Sequence, residues 1–448
     1  MRRRTGRVRR ILGVLAVLVL AALVGGYWYE RPLLLTGTGY AAHNACAVTH
    51  LAGRSQPETD LPPNPLVPYL RSRVTDDGAA VQSSILGLLA KQKAWYVEGY
   101  GCVLGAEKPT LPAPTPVGAT GNPFASAEAP TPDGAVSAAL ATAFGDDLSP
   151  EAKARLGTRA IVVIRQGKLV AERYAEGFTA QTRQLGWSMA KSVTDLLVGR
   201  LAEAGTVALS DARLRPEWTD DRARITMDDL LRMTSGLTWD ETYALGTTIT
   251  TMLYREADMA AYAASLPLAH PVGEYQQYSS GSTDIACSVL TQRTGAGADL
   301  PRRALFAPLG LSSAVWEPDG AGTPVCSSYL WATPRDWAAI GQFALQDGEW
   351  NGRHWLPEGW MAAASTHRGV AGEETGYAQG WWVNKLADGS LVEKDLPLDT
   401  YWAQGHDGQR LYVVPSAGLV VVRLGFSPEI EAKDLRTVGL VRDLLAAS

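Results

Sequence analysis

The pattern of hydrophobic and polar positions begins with a long apolar run. Residues 11–24 are all apolar or glycine, the aromatic trio Tyr27-Trp28-Tyr29 follows, and six arginines stand within the first ten residues. A helix over residues 11–29 would be about 28 Å long, close to the roughly 30 Å hydrocarbon core of a bilayer. Arginines favour the cytoplasmic side and aromatic rings favour the interface. The pattern predicts a basic cytoplasmic tail, residues 1–10, and a single-pass transmembrane signal-anchor, residues 11–29, that contacts inner-membrane lipid.

A cleaved signal peptide is the alternative interpretation of the same run. Signal peptides have a shorter apolar stretch and a small-residue cleavage site, whereas no Ala-x-Ala stands before the charged pair Glu30-Arg31. The sequence therefore favours an uncleaved anchor. Both interpretations export the rest of the chain, so the predicted location is the extracytoplasmic (periplasmic) face of the cell membrane, with cleaved secretion as the lesser alternative.

The chain after the anchor divides into three parts by pattern. Residues 40–105 form a small N-terminal region, with a short apolar run at 85–89 and a strand-like segment at 94–103. Residues 106–133 contain seven prolines, a composition that resists helix and sheet and predicts a linker or a surface strap. A second domain, residues 134–448, opens with a predicted helix over 134–144.

Alternation and helical spacing predict the elements of the second domain. Residues 160–164 and 168–174 are β-rich runs around Gln166-Gly167, which is typical of a hairpin. Helices are predicted after Ser188, after Thr226 and after Thr333. Four strands are predicted at 381–384, 400–403, 410–414 and 419–424, followed by a helix over 435–446. This order predicts an α+β fold with an antiparallel sheet, in which the two sequence ends come together around a helical insert.

Composition and charge narrow the function classes. The 448 residues are 46% hydrophobic and 19% charged, so the chain is expected to bury a core. The net charge is −5 and no basic block follows the first ten residues, so no nucleic-acid partner is expected. The 14 Trp and 16 Tyr far outnumber the 6 Phe, which suits a cleft that holds a small molecule by flat contacts.

The four cysteines bear on disulfides rather than on metal. Because export permits disulfides, Cys46 and Cys102, both in the N-terminal region, are predicted to pair. Cys287 lies in an apolar run and is expected to be a buried thiol, and Cys326 has no obvious partner. The six histidines include no closely spaced pair and no CxxC exists, so no metal and no cofactor are predicted.

Ser188 and Lys191 are the candidate catalytic pair. Positions three apart share a helix face, so the Lys191 amine is expected beside the Ser188 hydroxyl. A serine needs a neighbouring base to become a nucleophile, and a lysine serves when burial disfavours its charged form. Ser-x-x-Lys also occurs by chance, and the alternative is a helix cap followed by an exposed lysine.

Two further segments carry candidate chemistry. Gln277-Tyr278-Ser279-Ser280-Gly281 places a phenol and a hydroxyl on a turn, and a β-turn with a packed tyrosine is the alternative. Gly405-His406-Asp407-Gly408-Gln409 leads into a predicted strand, and its glycines permit close approach of a backbone. A surface-turn histidine is the alternative for His406.

The order Ser-x-x-Lys, Tyr-x-Ser, His-x-Gly resembles the serine β-lactamase and penicillin-binding-protein superfamily. The chain is most similar to the class C β-lactamase-related hydrolases and, among them, to the 6-aminohexanoate-oligomer hydrolase branch. The resemblance runs from about Arg159 to the C-terminus, and residues 85–105 also look similar to the N-terminal region of exported relatives. It rests on five ordered segments, which are Trp187 to Ser192, Met233 to Leu237, Pro271 to Gly273, Tyr278 to Gly281 and Thr333 to Asp336. It implies a β-lactamase/transpeptidase-like fold, an antiparallel sheet flanked by helices with an all-helical insert.

The resemblance also implies the role of each site residue. Ser188 forms an acyl-enzyme, Lys191 and Tyr278 share the general acid–base work, and Ser280 shuttles a proton. The backbone N–H groups of Ser188 and Gln409 form an oxyanion hole. His406, with Gly408 two residues on, takes the place of the lysine in Lys-Thr-Gly.

The chain departs from the superfamily pattern at two of these positions. No Lys-Thr-Gly or Lys-Ser-Gly follows Lys191, and Ser280 stands where Asn is frequent. A histidine is a weaker and pH-dependent anion ligand. Antibiotic hydrolysis is therefore disfavoured as the main activity, and an esterase, amidase or peptidase acting on a small ester or amide is favoured.

Two other functions remain open from the sequence. An α/β-hydrolase elbow would use Gly186-x-Ser188-x-Ala190 with His406, although the residues before Ser188 are mostly polar. A membrane-anchored, non-catalytic sensor would keep the fold without turnover.

Around the site, Trp381, Trp382, Tyr401 and Trp402 are candidates for the acyl pocket, with strand packing as the alternative. Asp240 and Glu241 are candidates for attracting an ammonium group at the cleft.

Overall fold

A computed structural model describes residues 2–128, 130–373 and 375–447, with side chains from residue 10 onward. The side chains of the predicted basic tail, Arg10 excepted, lie outside the described residues. The strands are β1 Leu70–Thr75, β2 Ala80–Ile85, β3 Leu89–Val97, β4 Gly101–Leu104, β5 Thr158–Arg165, β6 Lys168–Tyr174, β7 Gln184–Leu185, β8 Val315–Trp316, β9 Leu330–Ala332, β10 Glu349–Trp350, β11 Arg353–His354, β12 Trp382–Val383, β13 Tyr401–Gly405, β14 Gln409–Val414 and β15 Leu419–Gly425. The helices are α1 Arg2–His50, α2 Gly134–Ala143, α3 Pro150–Leu156, α4 Met189–Glu203, α5 Met227–Leu231, α6 Thr248–Arg255, α7 Met259–Ser265, α8 Ser280–Thr294, α9 Ala307–Leu309, α10 Pro334–Leu345, α11 Trp360–Ala364 and α12 Thr437–Ala446.

Helix α1 is longer than the predicted anchor and has two halves of different character. Its apolar half, up to Glu30, is exposed except for half-buried Tyr27, and it is long and apolar enough to cross a membrane. Its second half packs into the protein from Thr36 onward. Gly39 permits this packing, because a Cβ there would stand 2.4 Å from the Tyr254 carbonyl oxygen of α6.

The N-terminal region is a four-stranded antiparallel sheet in the order β1-β2-β3-β4, packed against α1. The predicted disulfide Cys46–Cys102 is confirmed and joins α1 to β4. The segment predicted as one strand over 94–103 is two strands, because Gly99 and Gly101 take positive φ and turn the chain between β3 and β4. Of the apolar run at 85–89, Ile85 is buried, whereas Leu86, Leu88 and Leu89 are exposed at the β2–β3 turn.

The Pro-rich stretch lies along the second domain as a strap. Thr115 bonds the buried carboxylate of Asp299, and Asn122 donates to Asp336 at 2.7 Å. Arg335 on α10 donates to backbone carbonyls of the same stretch at residues 124 and 127. These bonds add to the partners that Asp299, Asp336 and Arg335 have within the second domain, and so attach the stretch to it.

The main sheet has six antiparallel strands in the order β12-β13-β14-β15-β5-β6. β5 pairs with β15, so the two sequence ends of the domain meet as predicted, and β5–β6 is the predicted hairpin. α2 and α12 pack together beside one face of the sheet, and α10 packs on β5, β14 and β15. The α+β class is confirmed. β13 and β14 contact α4, and Gly405 at the end of β13 packs on the Gly186 carbonyl just before that helix.

The cysteine prediction for the second domain is wrong. Cys287 on α8 and Cys326 form a disulfide, so Cys287 is not a free thiol and Cys326 has a partner. The two residues are 39 positions apart in the sequence, and the helical insert places α8 against the loop before β9. An apolar sequence context is shared by buried thiols and buried disulfides, so it could not distinguish them.

Candidate active site

Ser188 stands at the N-terminus of α4, directly after a tight turn. Trp187 has φ +49°, a left-handed backbone conformation that is costly for a tryptophan and that clusters at functional sites. Gly186 before it has no room for a side chain, because a Cβ would stand 2.2 Å from the Trp337 ring. Ser188 is half-buried and its hydroxyl makes no cap hydrogen bond to the helix. The turn therefore presents a hydroxyl that the helix does not use.

Lys191 lies one turn along α4 and is buried, with 1% of its surface exposed. Its Nζ donates to Ser188 Oγ at 2.9 Å, to Ser280 Oγ at 2.9 Å and to the Ser327 carbonyl at 3.2 Å. Burial lowers the pKa of the Lys191 amine, while the carboxylates of Glu241 and Asp284 oppose that shift. The predicted contact between amine and hydroxyl is confirmed, and the alternative of an exposed lysine is excluded.

Tyr278 and Ser280 come to the same place from the start of α8. Lys191 Nζ lies 4.8 Å from the centroid of the Tyr278 ring, a cation–π distance. The Tyr278 ring is half-buried and packs edge-on against Tyr377 and beside Trp382. Ser279 caps α8 by accepting a hydrogen bond from the Ser282 N–H. This cap fixes the start of α8 and therefore the positions of Tyr278 and Ser280 beside Lys191.

Glu241 belongs to this centre, although the sequence placed it only at the border of the cleft. Its Oε1 accepts from Ser280 Oγ at 2.6 Å, and its Oε2 accepts from the Ser280 N–H at 2.9 Å and from Trp239 Nε1 at 2.5 Å. The same Oε1 is 3.8 Å from Lys191 Nζ. Asp240 beside it is exposed and bonds the N–H of Thr242. We refer to Ser188, Lys191, Ser280 and Glu241 as the polar centre.

Two buried acids support the polar centre from behind. Asp284, one turn after Ser280, accepts both the N–H and the hydroxyl of Ser327, and burial raises its pKa to about 7. Asp195, one turn after Lys191, accepts from Gln379 and from the indoles of Trp360 and Trp381, and burial raises its pKa to about 6. Neither lies in a recognised motif, and only their spacing of four residues from Ser280 and Lys191 could have indicated them.

Gln409, expected to donate its backbone N–H to an oxyanion hole, begins a strand of the main sheet. Gln409 lies in β14, between β13 and β15, and pairs in register with Gly405. Its side chain bonds both backbone groups of Gly425 at 2.7 and 3.0 Å. Gly408 has φ +90°, and a Cβ there would stand 2.4 Å from Arg423 Nη1, so the backbone conformation and the packing both require a glycine. Gln409 is thus held at the β13–β14 turn by its pairing with Gly405 and by its side-chain bonds to Gly425.

The open edge beside Ser188 belongs to β13. The Asn384 N–H donates to the Thr400 carbonyl, so the backbone groups of Thr400 point toward β12, and by alternation those of Trp402 and Gln404 do as well. β12 pairs with β13 only at Trp402 and Tyr401. Among the described residues, no strand pairs with Gln404 on the β12 side, while on the other side it pairs in register with Arg410 of β14. Gly405, next to it, packs so closely on the Gly186 carbonyl that a Cβ would stand 2.1 Å away.

His406 belongs to an aromatic cluster rather than to the polar centre. Its ring stacks on Tyr243 at 4.2 Å between centroids and meets Trp187 edge-on at 5.5 Å. Tyr40 of α1 meets Trp187 on another side and stacks on Tyr254. We refer to Tyr40, Trp187, Tyr243 and His406 as the aromatic wall. A cavity of about 350 Å³ is lined by three rings of this wall, those of Tyr40, Tyr243 and His406, by apolar residues that include Pro62, Pro63 and Leu245, and by polar Thr36, Asn64, Thr250 and Glu429.

The four aromatic residues predicted for an acyl pocket have different surroundings. Trp382 packs beside the Tyr278 ring at 5.8 Å. Trp381 is buried and donates to Asp195, and Tyr401 packs edge-on against it. Trp402 faces the side of the sheet that α12 covers. Only Trp382 among them borders the candidate site.

The α/β-hydrolase alternative fails on topology. That fold needs a parallel strand leading into the nucleophile, whereas β7, before Ser188, has two residues and pairs antiparallel with β9. Every named strand pair in the described part of the chain is antiparallel.

A family model described as Beta-lactamase matches residues 95–434, which is more than half of the chain. The chain belongs to the β-lactamase family. Its fold is the β-lactamase/transpeptidase-like fold, and it is a serine hydrolase.

Individual relatives of this β-lactamase family member are distant. The chain is 24% identical over 304 residues to a 6-aminohexanoate-dimer hydrolase of Paenarthrobacter ureafaciens, covering 62% of this chain and 74% of that one. A structure named as a candidate 6-aminohexanoate-dimer hydrolase from Bacillus anthracis superposes with a TM-score of 0.56 at 23% identity, covering 66% of this chain and 80% of that one. EstCE1, a hydrolase with promiscuous acyltransferase activity, gives a TM-score of 0.56 at 16% identity, covering 69% and 98%. At these identities the structures establish the fold alone.

Proposed function

We propose that the chain is an exported, membrane-anchored serine hydrolase that cleaves a small ester or amide through an acyl-enzyme on Ser188. The observation that carries the proposal is the 2.9 Å contact between Ser188 Oγ and the amine of a lysine that is 1% exposed. Burial favours the neutral amine, and a neutral amine is able to accept the serine proton.

Acylation begins when Ser188 Oγ attacks the carbonyl carbon and its proton passes to Lys191 Nζ. The Lys191 ammonium is held by Ser280 and by the Ser327 carbonyl, with Glu241 at 3.8 Å. The oxyanion accepts hydrogen bonds from the backbone N–H of Ser188 and from that of Gln404 at the open edge of β13, in place of Gln409. Such donors typically contribute about 3–4 kcal/mol each.

Collapse of the tetrahedral intermediate expels the alcohol or amine, which takes a proton from the Lys191–Tyr278 pair. The two groups share the acid and base work as one coupled system. Water then attacks the acyl-enzyme, gives up a proton to the same pair, and releases the carboxylic acid and Ser188. Ser280 bridges Lys191 and Glu241 and relays a proton between them.

The substrate class follows from the walls of the cleft. The distant relatives named above are an amide hydrolase and an acyltransferase-active hydrolase, and no lysine stands where it would hold a β-lactam carboxylate. His406 packs in the aromatic wall beside the 350 Å³ cavity, which suits an apolar group better than an anion. We assign the cavity to the non-reacting part of an ester or linear amide.

The test uses the full chain in detergent and a fluorophosphonate probe that reacts with activated serines. We expect the wild type and Ser137→Ala, which changes an exposed helix serine, to be labelled, and Ser188→Ala to lose labelling and more than about a thousandfold in p-nitrophenyl ester turnover. The melting temperature of Ser188→Ala should stay close to wild type, because its hydroxyl caps nothing. Labelling elsewhere, or unaltered turnover in Ser188→Ala, refutes the nucleophile. Failure of the well-folded wild type to label or turn over supports the sensor alternative.

A further inference from the structure

A patch of exposed apolar side chains lies at the β2–β3 turn. Leu86 and Leu88 are 58% and 75% exposed, and Leu89 and Tyr69 are also exposed. The Leu86 N–H donates to the Tyr69 carbonyl at 2.9 Å, so the backbone segments that carry these four residues are adjacent, and we call the four residues the hairpin tip. Single exposed leucines are ordinary, but a contiguous group of large apolar residues on a turn marks an interaction surface.

The hairpin tip is attached to α1 where the apolar half of that helix ends. The Ala90 N–H, next to Leu89, donates to the Tyr27 hydroxyl at 3.2 Å. Tyr27 opens the aromatic trio that follows the apolar run, and the trio is the segment expected at the membrane–water interface. β3 then runs along α1 away from this point, since Tyr96 near its far end stacks on His50. The tip is thus level with the interface.

The charges of the small sheet are arranged along the same axis. Arg71 and Lys91 are exposed beside the tip, and the Arg31 guanidinium lies over the Trp28 ring. Asp76 and Asp77 are at the opposite end of β1 and β2, about 17 Å away at 3.3 Å per residue. Basic side chains flanking apolar ones are typical of a surface that meets phospholipid headgroups.

We propose that the hairpin tip inserts into the lipid interface beside the anchor and forms a second membrane contact with anionic phospholipid. The proposal rests on the membrane anchor of the proposed function. A single helix leaves a domain free to rotate about the helix axis, whereas two contacts fix its orientation. Thr36, which lines the cavity along the aromatic wall, is seven residues after Tyr29 and therefore about 10 Å further along α1. The tip holds that cavity close to the membrane surface.

The experiment places an environment-sensitive NBD fluorophore at three positions of the full chain in nanodiscs that contain anionic phospholipid. All four native cysteines are in disulfides, so an introduced cysteine is labelled alone. Leu88→Cys reports the tip, and Leu18→Cys reports the anchor. Val74→Cys is the matched control, because it is 61% exposed in the same sheet at the end away from the tip.

We expect NBD at residue 88 to emit at shorter wavelength than at residue 74 and to be quenched at least twofold more by lipids that carry a headgroup-level nitroxide. NBD at residue 18 should be quenched by nitroxides deep in the acyl chains. If residue 88 behaves like residue 74 while residue 18 is in lipid, the tip proposal is wrong and the anchor stands. If residue 18 is also in water, the anchor fails and the tip proposal fails with it. A blue shift at residue 88 without lipid quenching means that protein covers the tip, which also overturns the proposal.

Discussion

The polar centre includes Ser188 and the aromatic wall includes its neighbour Trp187, yet the two groups are held together by different interactions. In the polar centre, hydrogen bonds satisfy the polar groups: Lys191 has three acceptors, Glu241 has three donors, and Ser280 bridges the two. In the aromatic wall, rings from α1, the turn before α4 and the β13–β14 turn meet by stacking, beside an open cavity. In our proposal the polar centre transfers protons, and the aromatic wall binds the non-reacting part of the substrate.

The difference has an electrostatic origin. A buried lysine without partners would lose its charge or unfold its surroundings. The polar centre offers hydrogen-bond partners to the Lys191 amine in both its neutral and its charged form, and desolvation lowers the pKa of that amine. His406 is partly exposed, stacks on Tyr243 by its ring face and has its Nε2 3.4 Å from Asp407 Oδ1, outside the polar centre, so we assign it contact area rather than proton transfer. Variants of the two sides should therefore change different kinetic parameters.

The largest effect is expected from Lys191→Met, which removes the base and keeps most of the side-chain volume. We expect kcat/KM for a p-nitrophenyl ester to fall by about a thousandfold, which corresponds to about 4 kcal/mol of transition-state stabilisation. The melting temperature should not fall, because a buried amine is replaced by an apolar group. Lys168→Met, at an exposed position of β6, is the control. A loss below tenfold in Lys191→Met would show that the proton goes elsewhere.

The sequence predicted the contact in the polar centre because Ser188 and Lys191 lie within one helical turn, where spacing fixes geometry. The β5–β15 pairing was predicted only as a class of topology, and the strand bounds came within a few residues. The sequence placed Glu241 at the border of the cleft and not in the polar centre. Its bonds to Ser280 join residues that are 39 positions apart, which no local pattern predicts.

Other features depended on long-range packing that no local pattern carries. The disulfide Cys287–Cys326 and the place of Gln409 inside the sheet follow from which strands and helices become neighbours. The packed half of α1 has glycines at 37 and 39, which lower helix propensity, yet tertiary contact with α6 favours close approach there. The sequence therefore predicted a contact between side chains on one helix, but not contacts between side chains that different elements bring together.

An intermediate effect is expected from Glu241→Gln, which removes a negative charge 3.8 Å from Lys191 Nζ. The Glu241 carboxylate raises the pKa of Lys191 against the effect of burial. Without it the pKa should fall further, so the amine is neutral at lower pH. Below its pKa the amine is protonated and accepts nothing, so the acid limb of the kcat/KM profile should move to lower pH.

The rate of Glu241→Gln on the high-pH plateau should fall by no more than about tenfold, because the amide oxygen still accepts from Ser280. The measurement is a pH–rate profile with a soluble ester, and Asp240→Asn, which changes the exposed neighbour, is the control. A limb that stays in place, or that moves to higher pH, contradicts the assigned coupling between Glu241 and Lys191.

The smallest effect is expected in the aromatic wall, at His406. In His406→Phe the ring still stacks on Tyr243 and meets Trp187, so kcat/KM should stay within about threefold of wild type. In His406→Ala the stacking is lost, which is worth about 0.5–1.5 kcal/mol, so KM for a long-chain ester should rise by up to about tenfold. Its kcat and the KM for an acetate ester should change little, because the polar centre is intact.

The pair of His406 variants also separates shape from chemistry at that position. His354→Ala changes an exposed histidine on β11 and serves as the control. A hundredfold loss of kcat in both His406→Phe and His406→Ala would mean that the imidazole itself takes part in proton transfer or anion binding. In that case the division between the two sides of the cleft is wrong. If His406→Phe keeps the affinity for the long-chain ester and His406→Ala loses it, a flat ring beside the cavity is sufficient at this position.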